Sequence, residues 1–325
     1  MDGGKYIAEG TYGCVFGEPP LKCVEEKERN KGPIVSKLMD HGEALKELNI
    51  NQIWKQIDPE QQFTITPIKM CKFDNTNIRA ENNFDKCKAE IGDKPYLLTY
   101  LNGGVDLERL NPTSKNYLPI IKGLQNLFDG LVKIHDKDMV HLDIKPSNIL
   151  TGYDSIHLRF IDYGLSLSTK DIYNYEEEDG ILYTNTRFAY VYWPIELGCF
   201  HNDGTLYSYN ELSRFRFNIL HIQYFNGIYG LPNLNLDYKK YYDEILMKTD
   251  FKDIKTTLQK VDVFSMGIVL IHVLRHWFHY TPIVSEDNSL ILKYQDKDRK
   301  RYKISELKDA KIMSDKQADF QVELY

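Results

Sequence analysis

The 325-residue sequence predicts an α+β protein with a small β-rich N-terminal part and a larger, mainly helical remainder. Alternating and continuous apolar runs, which are typical of β-strands, dominate the first hundred residues. A helical repeat of apolar residues follows from residue 117. The tripeptide NGG at 102–104 breaks the chain between the two parts. We therefore expect two domains, at residues 1–100 and 101–325.

The β-rich part begins with KYIAEGTYGCVFG, and PIVSKLM follows after a polar stretch. Together these segments predict two or three strands over residues 5–39. The segment FTITPIKMCKF at 63–73 is also strand-like. The apolar run PYLLTYL at 95–101 predicts a buried strand. The polar residues 75–94 between these two predicted strands are interpreted as a long connector.

Two segments have apolar residues at helical spacing. The first, HGEALKELNINQIWKQI at 41–57, predicts one helix within the β-rich part. The second, at 117–137, predicts an amphipathic helix. Its apolar face consists of Leu124, Leu127, Phe128, Leu131 and Ile134. Beyond this helix, the sequence predicts mostly helices and loops.

Composition and charge exclude several classes of protein. Apolar residues make up 42% of the chain and charged residues 27%, which indicates a globular protein. The net charge of -6 gives no general attraction to nucleic acid or to an anionic membrane. The apolar run at 266–274 is about half of the ~20 residues that span a bilayer. We expect neither a nucleic-acid nor a membrane partner, and the sequence does not indicate an oligomeric state.

The five cysteines are odd in number and scattered, without CxxC spacing. This pattern argues against a disulfide framework and against a zinc site. It favours the cytoplasm or another reducing intracellular compartment. The cysteines are Cys14, Cys23, Cys71, Cys87 and Cys199.

Two short stretches concentrate polar residues between apolar neighbours. HLDIKPSN at 141–148 contains Asp143, Lys145 and Asn148, and DYG at 162–164 begins with Asp162. Phosphoryl transfer needs these groups: a carboxylate near the attacking hydroxyl, a cation near the phosphate, and oxygen ligands for Mg²⁺. The apolar neighbours would anchor both loops to the core.

These stretches and four other motifs, in order, resemble the signature set of eukaryotic-type serine/threonine protein kinases over roughly residues 6–275. The other motifs are GTYGCV at 10–15, IVSK at 34–37, YWPIE at 192–196 and VDVFSMGIVL at 261–270. The resemblance implies a bilobal fold that binds ATP and Mg²⁺ between its lobes. It also implies that Asp143 orients the substrate hydroxyl, that Lys145 steadies the γ-phosphate, and that Asn148 and Asp162 hold Mg²⁺.

The resemblance also implies which residues form the nucleotide site. Lys37 would bind the α- and β-phosphates and pair with a helix glutamate; we prefer Glu47, and Glu43 remains possible. Thr99 and Leu101 would offer backbone C=O and N–H groups to adenine, behind a gatekeeper at Leu98, and Asp106 would reach the ribose. The glycine-rich hairpin would contribute Ile7, Gly10, Gly13 and Val15, with Ala8 in place of the usual first glycine.

The sequence departs from the kinase pattern at four places. Leu142 replaces an arginine that binds a phosphorylated activation segment, so we expect activity without such phosphorylation. Tyr163 replaces a phenylalanine, with little expected effect. Ala189 replaces a threonine that helps to hold the catalytic aspartate. Residues 198–258 form an insertion, whose aromatic residues favour packing over partner binding. Such divergence resembles the kinases of large DNA viruses.

The function implied is transfer of the γ-phosphoryl group of ATP to serine or threonine hydroxyls of proteins. Two alternatives remain open, namely a pseudokinase that serves as a binding module and a small-molecule kinase of related fold. The presence of Lys37, Asp143, Asn148 and Asp162 favours an active enzyme.

Overall fold

The computed structural model confirms the α+β class, with an antiparallel sheet near the N-terminus and helices later in the chain. This arrangement is compatible with the kinase-like fold that the motifs imply. The predictions for Ala189, Glu196 and Cys199 lie outside the described residues. The structure describes residues 4–10, 12–17, 20–26, 32–73, 84–110, 117–152, 157–170, 190, 192–194, 207–214, 238–244, 246–248, 254–278, 280–284, 290–295 and 301–302.

A five-stranded sheet occupies the N-terminal part. Its strands are β1 Lys5–Gly10, β2 Gly13–Gly17, β3 Ile34–Asp40, β4 Lys69–Lys72 and β5 Pro95–Leu101. They lie in the order β1-β2-β3-β5-β4, and every neighbouring pair is antiparallel. Because side chains alternate along a strand, Lys37 and Met39 face one side of β3 and Leu38 faces the other.

Strand β4 is shorter than the strand expected at 63–73. The buried carboxylate of Asp58 accepts hydrogen bonds from the backbone N–H groups of Gln62, Phe63 and Thr64. These bonds satisfy the backbone locally, so the residues before β4 form an ordered loop instead of a sheet ladder. Pro67, which has no N–H to donate, follows in the same segment.

The structure contains five α-helices among the described residues, and the first two agree with the predicted helices. The side chain of Asp40 caps α1 by accepting a 2.7 Å hydrogen bond from the N–H of Gly42. Short 3-10 turns lie at Phe84–Lys86, Pro146–Asn148 and Leu246–Lys248. The helices are α1 His41–Ile57, α2 Tyr117–Asp136, α3 Tyr209–Arg214, α4 Tyr238–Glu244 and α5 Ile254–Phe278.

Seven further strands follow β5. The first four have two residues each: β6 Met139–Val140, β7 Ile149–Leu150, β8 Arg159–Phe160 and β9 Leu167–Ser168. The others, β10 Tyr280–Val284, β11 Leu290–Gln295 and β12 Arg301–Tyr302, form a three-stranded antiparallel sheet. The sequence reading of this region as mostly helix and loop missed that sheet.

The chain divides into two compact units. The first consists of residues 1–143 and 147–166, and the second of residues 144–146 and 167–325. In the first unit a Cβ on Gly130 of α2 would meet the ring of Phe63, so the helix packs directly on the loop before β4. This packing joins α2 to the sheet-containing unit, and the domain boundary expected at residue 100 stays a prediction.

Four of the five cysteines form disulfides, so the prediction against a disulfide framework is wrong. Cys14 of β2 is bonded to Cys87, and Cys23 is bonded to Cys71 of β4. Their Cα atoms are 5.8 Å and 5.7 Å apart, within the usual range for a disulfide. The spacing rule failed because both bonds join residues that are distant in sequence and come together only in the folded sheet. The case for a reducing compartment loses its basis, and the localisation stays a prediction.

Both disulfides lie in an apolar cluster on one face of the sheet, which we call the outer cluster. The ring of Phe84 stacks on those of Phe16 and Phe73, with centroids 5.6 Å and 6.1 Å apart, and covers part of this face. The buried members of the outer cluster are Cys14, Phe16, Leu21, Cys23, Leu38, Cys71, Phe73 and Leu97.

Helix α5 is the one candidate for a membrane span in the part of the chain that the structure describes. Its segment Lys255–Leu274 is long and apolar enough by composition, with a mean hydropathy of 1.4. This is weak evidence, because the core helix of a soluble protein meets the same test. Leu258, Val261 and Val269 of this segment are buried within the fold. The expected absence of a membrane partner stays a prediction.

Candidate active site

The glycine-rich hairpin joins β1 to β2, with Gly10 paired to Gly13 across the turn. A Cβ on Gly13 would lie 2.4 Å from the carbonyl oxygen of Leu38, so close packing against β3 requires this glycine. Gly10 has room for a Cβ. The β1–β2 register shifts between Tyr6 and Ala8, which leaves Ile7 at a bulge, and its side chain is exposed.

Lys37 and Glu47 form the ion pair that the sequence favours. The Nζ atom of Lys37 donates to Oε2 of Glu47 at 2.6 Å, and both side chains are 16% exposed. Glu43 instead accepts a hydrogen bond from the exposed Lys46. Burial acts to lower the pKa of Lys37, but the charges of Glu47 and Asp162 and the hydrogen bond to Glu47 outweigh it and raise that pKa. Lys37 is therefore a cation at neutral pH.

A second partner holds the same carboxylate, and sequence reasoning missed it. The hydroxyl of Tyr100 on β5 donates to Oε1 of Glu47 at 2.5 Å. Tyr100 pairs with Val35 in the sheet, and Lys37 pairs with Leu98. The two-residue spacing of Leu98 and Tyr100 puts their side chains on the face of Lys37. The sequence carried one signal for this contact. Tyr100 lies two residues after the proposed gatekeeper Leu98, and residues two apart in a strand lie on the same face.

The strands β7 and β8 bring together Asn148 and the DYG sequence. Ile149 pairs with Phe160, and the N–H of Ile161 donates to the carbonyl of Asn148 at 3.0 Å. Asn148 and Asp162 therefore lie at the same end of this antiparallel pair. Asp162 has a φ of 63°, in the left-handed region that residues other than glycine adopt uncommonly. Such backbone strain is concentrated at functional sites, where the surrounding structure enforces it.

The side chains of Asp143 and Asn148 are directly hydrogen-bonded. The Nδ2 atom of Asn148 donates to Oδ2 of Asp143 at 2.7 Å and to its backbone carbonyl at 2.9 Å. Both residues are buried. Because the amide nitrogen is used in this way, the amide oxygen is the atom that Asn148 can offer to a cation. An amide oxygen and the carboxylate of Asp162 form a hard donor set that fits Mg²⁺.

Tyr163 fixes the loop that carries Asp162. Its ring stacks on Trp54 of α1, with centroids 4.4 Å apart, and lies 5.3 Å from the ring of His141. Its hydroxyl donates to the carbonyl of Phe160 at 2.6 Å and accepts from the N–H of Ile65 at 3.2 Å. The hydroxyl that distinguishes this residue from phenylalanine therefore bridges two backbone segments.

Two residues of the segment expected to bind adenine and ribose have hydrogen-bond partners within the protein. The carbonyl of Thr99 accepts a 2.7 Å hydrogen bond from Ile68, so it is already engaged beside β4. Asp106 is 2% exposed, and it accepts hydrogen bonds from the N–H of Arg109 at 2.9 Å and from Nε of Arg109 at 2.6 Å. Asp106 thus caps the turn that leads to Arg109, and its expected contact with a ribose stays a prediction.

Leu101 retains its expected position at the end of β5, where it is 40% exposed. The next residue, Asn102, donates its N–H toward β3, to the carbonyl of Pro33 at 2.7 Å. Because backbone groups alternate in direction along a strand, the N–H and C=O of Leu101 point away from β3. Leu98, the expected gatekeeper, is wholly buried with Met39 and Ala44.

Lys145 belongs to the second unit. Its Nζ atom lies 3.5 Å from the hydroxyl of Tyr190 and 5.9 Å from the centroid of that ring. In the same unit, Ser265 of α5 donates to the carbonyl of Tyr192 at 2.6 Å, and Asp262 is fully buried. The role of Lys145 at the γ-phosphate stays a prediction.

No family model matches the chain. Several curated proteins that are similar to the chain at low identity are kinases by name. A probable serine/threonine-protein kinase of Dictyostelium discoideum is 29% identical over 154 residues, covering 46% of this chain and 14% of that protein. The MAP kinase kinase kinase mkh1 of Schizosaccharomyces pombe is 25% identical, covering 53% and 14%. Cyclin-dependent kinase 9 of Xenopus tropicalis is 28% identical, covering 59% and 48%.

The chain is therefore related to the protein-kinase superfamily. It spans less than half the length of each of these three relatives. The resemblance to viral kinases stays a prediction.

Proposed function

We propose that this relative of the protein kinases transfers the γ-phosphoryl group of ATP to serine or threonine hydroxyls of proteins, with Mg²⁺ as its metal ion. The observation that carries the proposal is the grouping, within one compact unit, of the Lys37–Glu47 pair, the Asp143–Asn148 pair and Asp162. The names of the curated relatives support the reaction class.

Each group has a role that its environment supports. Lys37 is a largely buried cation suited to phosphate oxygens, and Glu47 holds its position. Asp143 would orient the attacking hydroxyl and accept its proton, with its carboxylate fixed by Asn148. Asp162 and the amide oxygen of Asn148 would hold Mg²⁺, which neutralises negative charge on the phosphates when bound.

We infer the nucleotide contacts from the residues on β1, β2 and the end of β5. Ile7 and Val15 would cover the base, and the backbone of Leu101 would hydrogen-bond to it. Asp106 would reach the ribose with the carboxylate that already accepts from Arg109. Lys145 would steady the γ-phosphate, and Leu142 leaves the chain without the usual arginine partner of an activation-segment phosphate.

The test is a transfer assay with γ-labelled ATP and a panel of acceptors: a basic protein, an acidic protein and small hydroxylated metabolites. We expect label on protein serine or threonine, identified by acid hydrolysis, and its loss when EDTA removes Mg²⁺. Label on a metabolite alone would favour a small-molecule kinase. ATP binding without transfer to any acceptor would favour a pseudokinase. Absence of both binding and transfer would overturn the nucleotide site.

A further inference from the structure

We propose that Tyr100 is a positioning residue, which holds Glu47 and, through Glu47, the phosphate-binding Lys37. This inference rests on the proposed function, because it concerns how the nucleotide site is kept in order. It assigns a role to a side chain for which the kinase motifs of the sequence gave none.

The first step is the geometry of the shared carboxylate. One oxygen of Glu47 accepts from Lys37 at 2.6 Å and the other accepts from Tyr100 at 2.5 Å. The two donors come from the adjacent strands β3 and β5, whereas Glu47 is on α1. A carboxylate bound at both oxygens by rigid strands loses the freedom to rotate away from either donor. Tyr100 therefore fixes the helix side chain against the sheet.

The second step is the chemical state of the donor. Burial raises the pKa of Tyr100 well above its ordinary value, and the negative charges of Glu47 and Asp162 raise it further. The phenol therefore keeps its proton at neutral pH and donates it to Glu47. A hydrogen bond to a carboxylate is stronger than one between neutral groups, and burial strengthens it further.

The third step concerns what Lys37 would do without this bond. Lys37 lies in the field of two carboxylates, those of Glu47 and Asp162. An ammonium group has three donors on a flexible stem, so its direction depends on how firmly its partners are held. Once Glu47 could rotate, Lys37 would follow it or turn toward Asp162. In both cases the ammonium group of Lys37 would no longer be positioned to donate to phosphate oxygens.

A purely structural role for the hydroxyl makes a different prediction. In that case Tyr100→Phe would lower stability and leave nucleotide affinity intact. A direct contact with the base would weaken adenosine and ATP equally. A role through Lys37 weakens only ligands that carry phosphates, and it disappears once Lys37 has been removed.

The experiment measures the affinities of Mg·ATP and of adenosine by titration calorimetry, on the full chain. The variants are Tyr100→Phe, Lys37→Met and the double variant. The control is Tyr96→Phe, which removes a hydroxyl from the same face of β5, where the Tyr96 ring lies 4.3 Å from His41. We expect Tyr100→Phe to weaken ATP binding about tenfold, as for a lost hydrogen bond to a charged group. Adenosine binding should stay unchanged, and so should ATP binding to Tyr96→Phe.

In the Lys37→Met background, Tyr100→Phe should cause no further loss of ATP affinity. The inference is overturned if Tyr100→Phe binds ATP as the wild type does, if it weakens adenosine equally, or if its effect adds to that of Lys37→Met. Loss of adenosine binding together with loss of cooperative melting would assign the hydroxyl to folding and would also overturn it. If the wild type binds no ATP, the proposed function fails and this inference falls with it.

Discussion

The two faces of the five-stranded sheet are built from different chemistry. On one face, Lys37 and Tyr100 donate to the carboxylate of Glu47, beside the buried apolar residues Met39 and Leu98. On the other, the outer cluster packs apolar side chains around two disulfides. The same strands contribute to both, because neighbouring residues such as Lys37 and Leu38 point in opposite directions.

This difference indicates that one face of the sheet serves mainly activity and the other mainly stability. A buried ion pair contributes little net stability, because desolvation of both charges offsets most of their attraction. The outer cluster removes apolar surface from water and restricts the unfolded chain. Changes on the charged face should therefore alter activity, and changes on the apolar face should alter stability. The predictions below test this division from the largest expected effect to the smallest.

The largest effect is expected for Lys37→Arg. The variant keeps the charge beside Glu47, so the melting temperature should change by no more than a few degrees. The planar guanidinium cannot reproduce the position of the ammonium group, and kcat/KM should fall by about 10²–10³-fold. The control, Lys46→Arg, changes an exposed lysine that pairs with Glu43, and it should retain full activity. Full activity of the Lys37→Arg variant would contradict the claim that changes on the charged face alter activity.

Removal of the Cys14–Cys87 disulfide should lower the free energy of unfolding without abolishing phosphoryl transfer. We expect Cys14→Ala combined with Cys87→Ala to lower the free energy of unfolding by about 2–5 kcal/mol, measured by urea denaturation. The loop closed by Cys23 and Cys71 lies within the loop closed by Cys14 and Cys87, so the two contributions are not additive. A loss of activity equal to that of Lys37→Arg would contradict the separation of the faces.

A thiol count tests the disulfides themselves. The sequence has five cysteines, and the structure pairs four of them. Unreduced protein, unfolded in denaturant, should therefore react as one free thiol per chain, and Cys199→Ala should react as none. Five reactive thiols would show that the outer cluster forms without covalent bonds.

A smaller loss of stability is expected for Phe84→Ala. The ring covers part of the outer cluster by stacking on Phe16 and Phe73, and it is itself half-buried. Its removal should lower the free energy of unfolding by about 2 kcal/mol, with unchanged kcat/KM. Phe84→Leu, which keeps apolar cover and loses the stacking, should recover about half of that loss. Equal stability of Phe84→Ala and wild type would show that the ring contributes nothing to the face.

The smallest effect concerns alkaline pH. The pKa values of Lys37 and Tyr100 are both raised by folding, despite the opposing effect of burial on Lys37. A raised pKa favours the protonated form in the folded state, so this stability is fully present below the unfolded pKa values, about 10 for both groups. It is lost as the pH rises through the folded values. The difference in melting temperature between wild type and the Lys37→Met, Tyr100→Phe double variant should shrink above about pH 10; a constant difference would contradict this account.

The sequence was most informative where local patterns determine structure. Periodicity located α1, α2 and β5, and residue spacing placed Asn148 and Asp162 on segments that the short β7–β8 pair brings together. It was least informative for pairs that depend on strand register. The disulfides and the Tyr100–Glu47 bond join residues 48 to 73 apart in sequence. The bonds from Arg109 to Asp106 could not be recognised without the fold, because an acidic residue after a strand can bind a ribose or cap a turn.

The most direct measurement is the rate of Mg²⁺-dependent phosphoryl transfer from ATP by the wild type and by Asp143→Asn. Asp136→Asn, at the exposed end of α2, serves as the matched control. We predict that Asp143→Asn loses at least about 10²-fold in kcat while its melting temperature stays near that of the wild type, because the amide cannot accept the proton of the hydroxyl. Equal rates for the wild type and Asp143→Asn would contradict the assignment of this site as the catalytic centre.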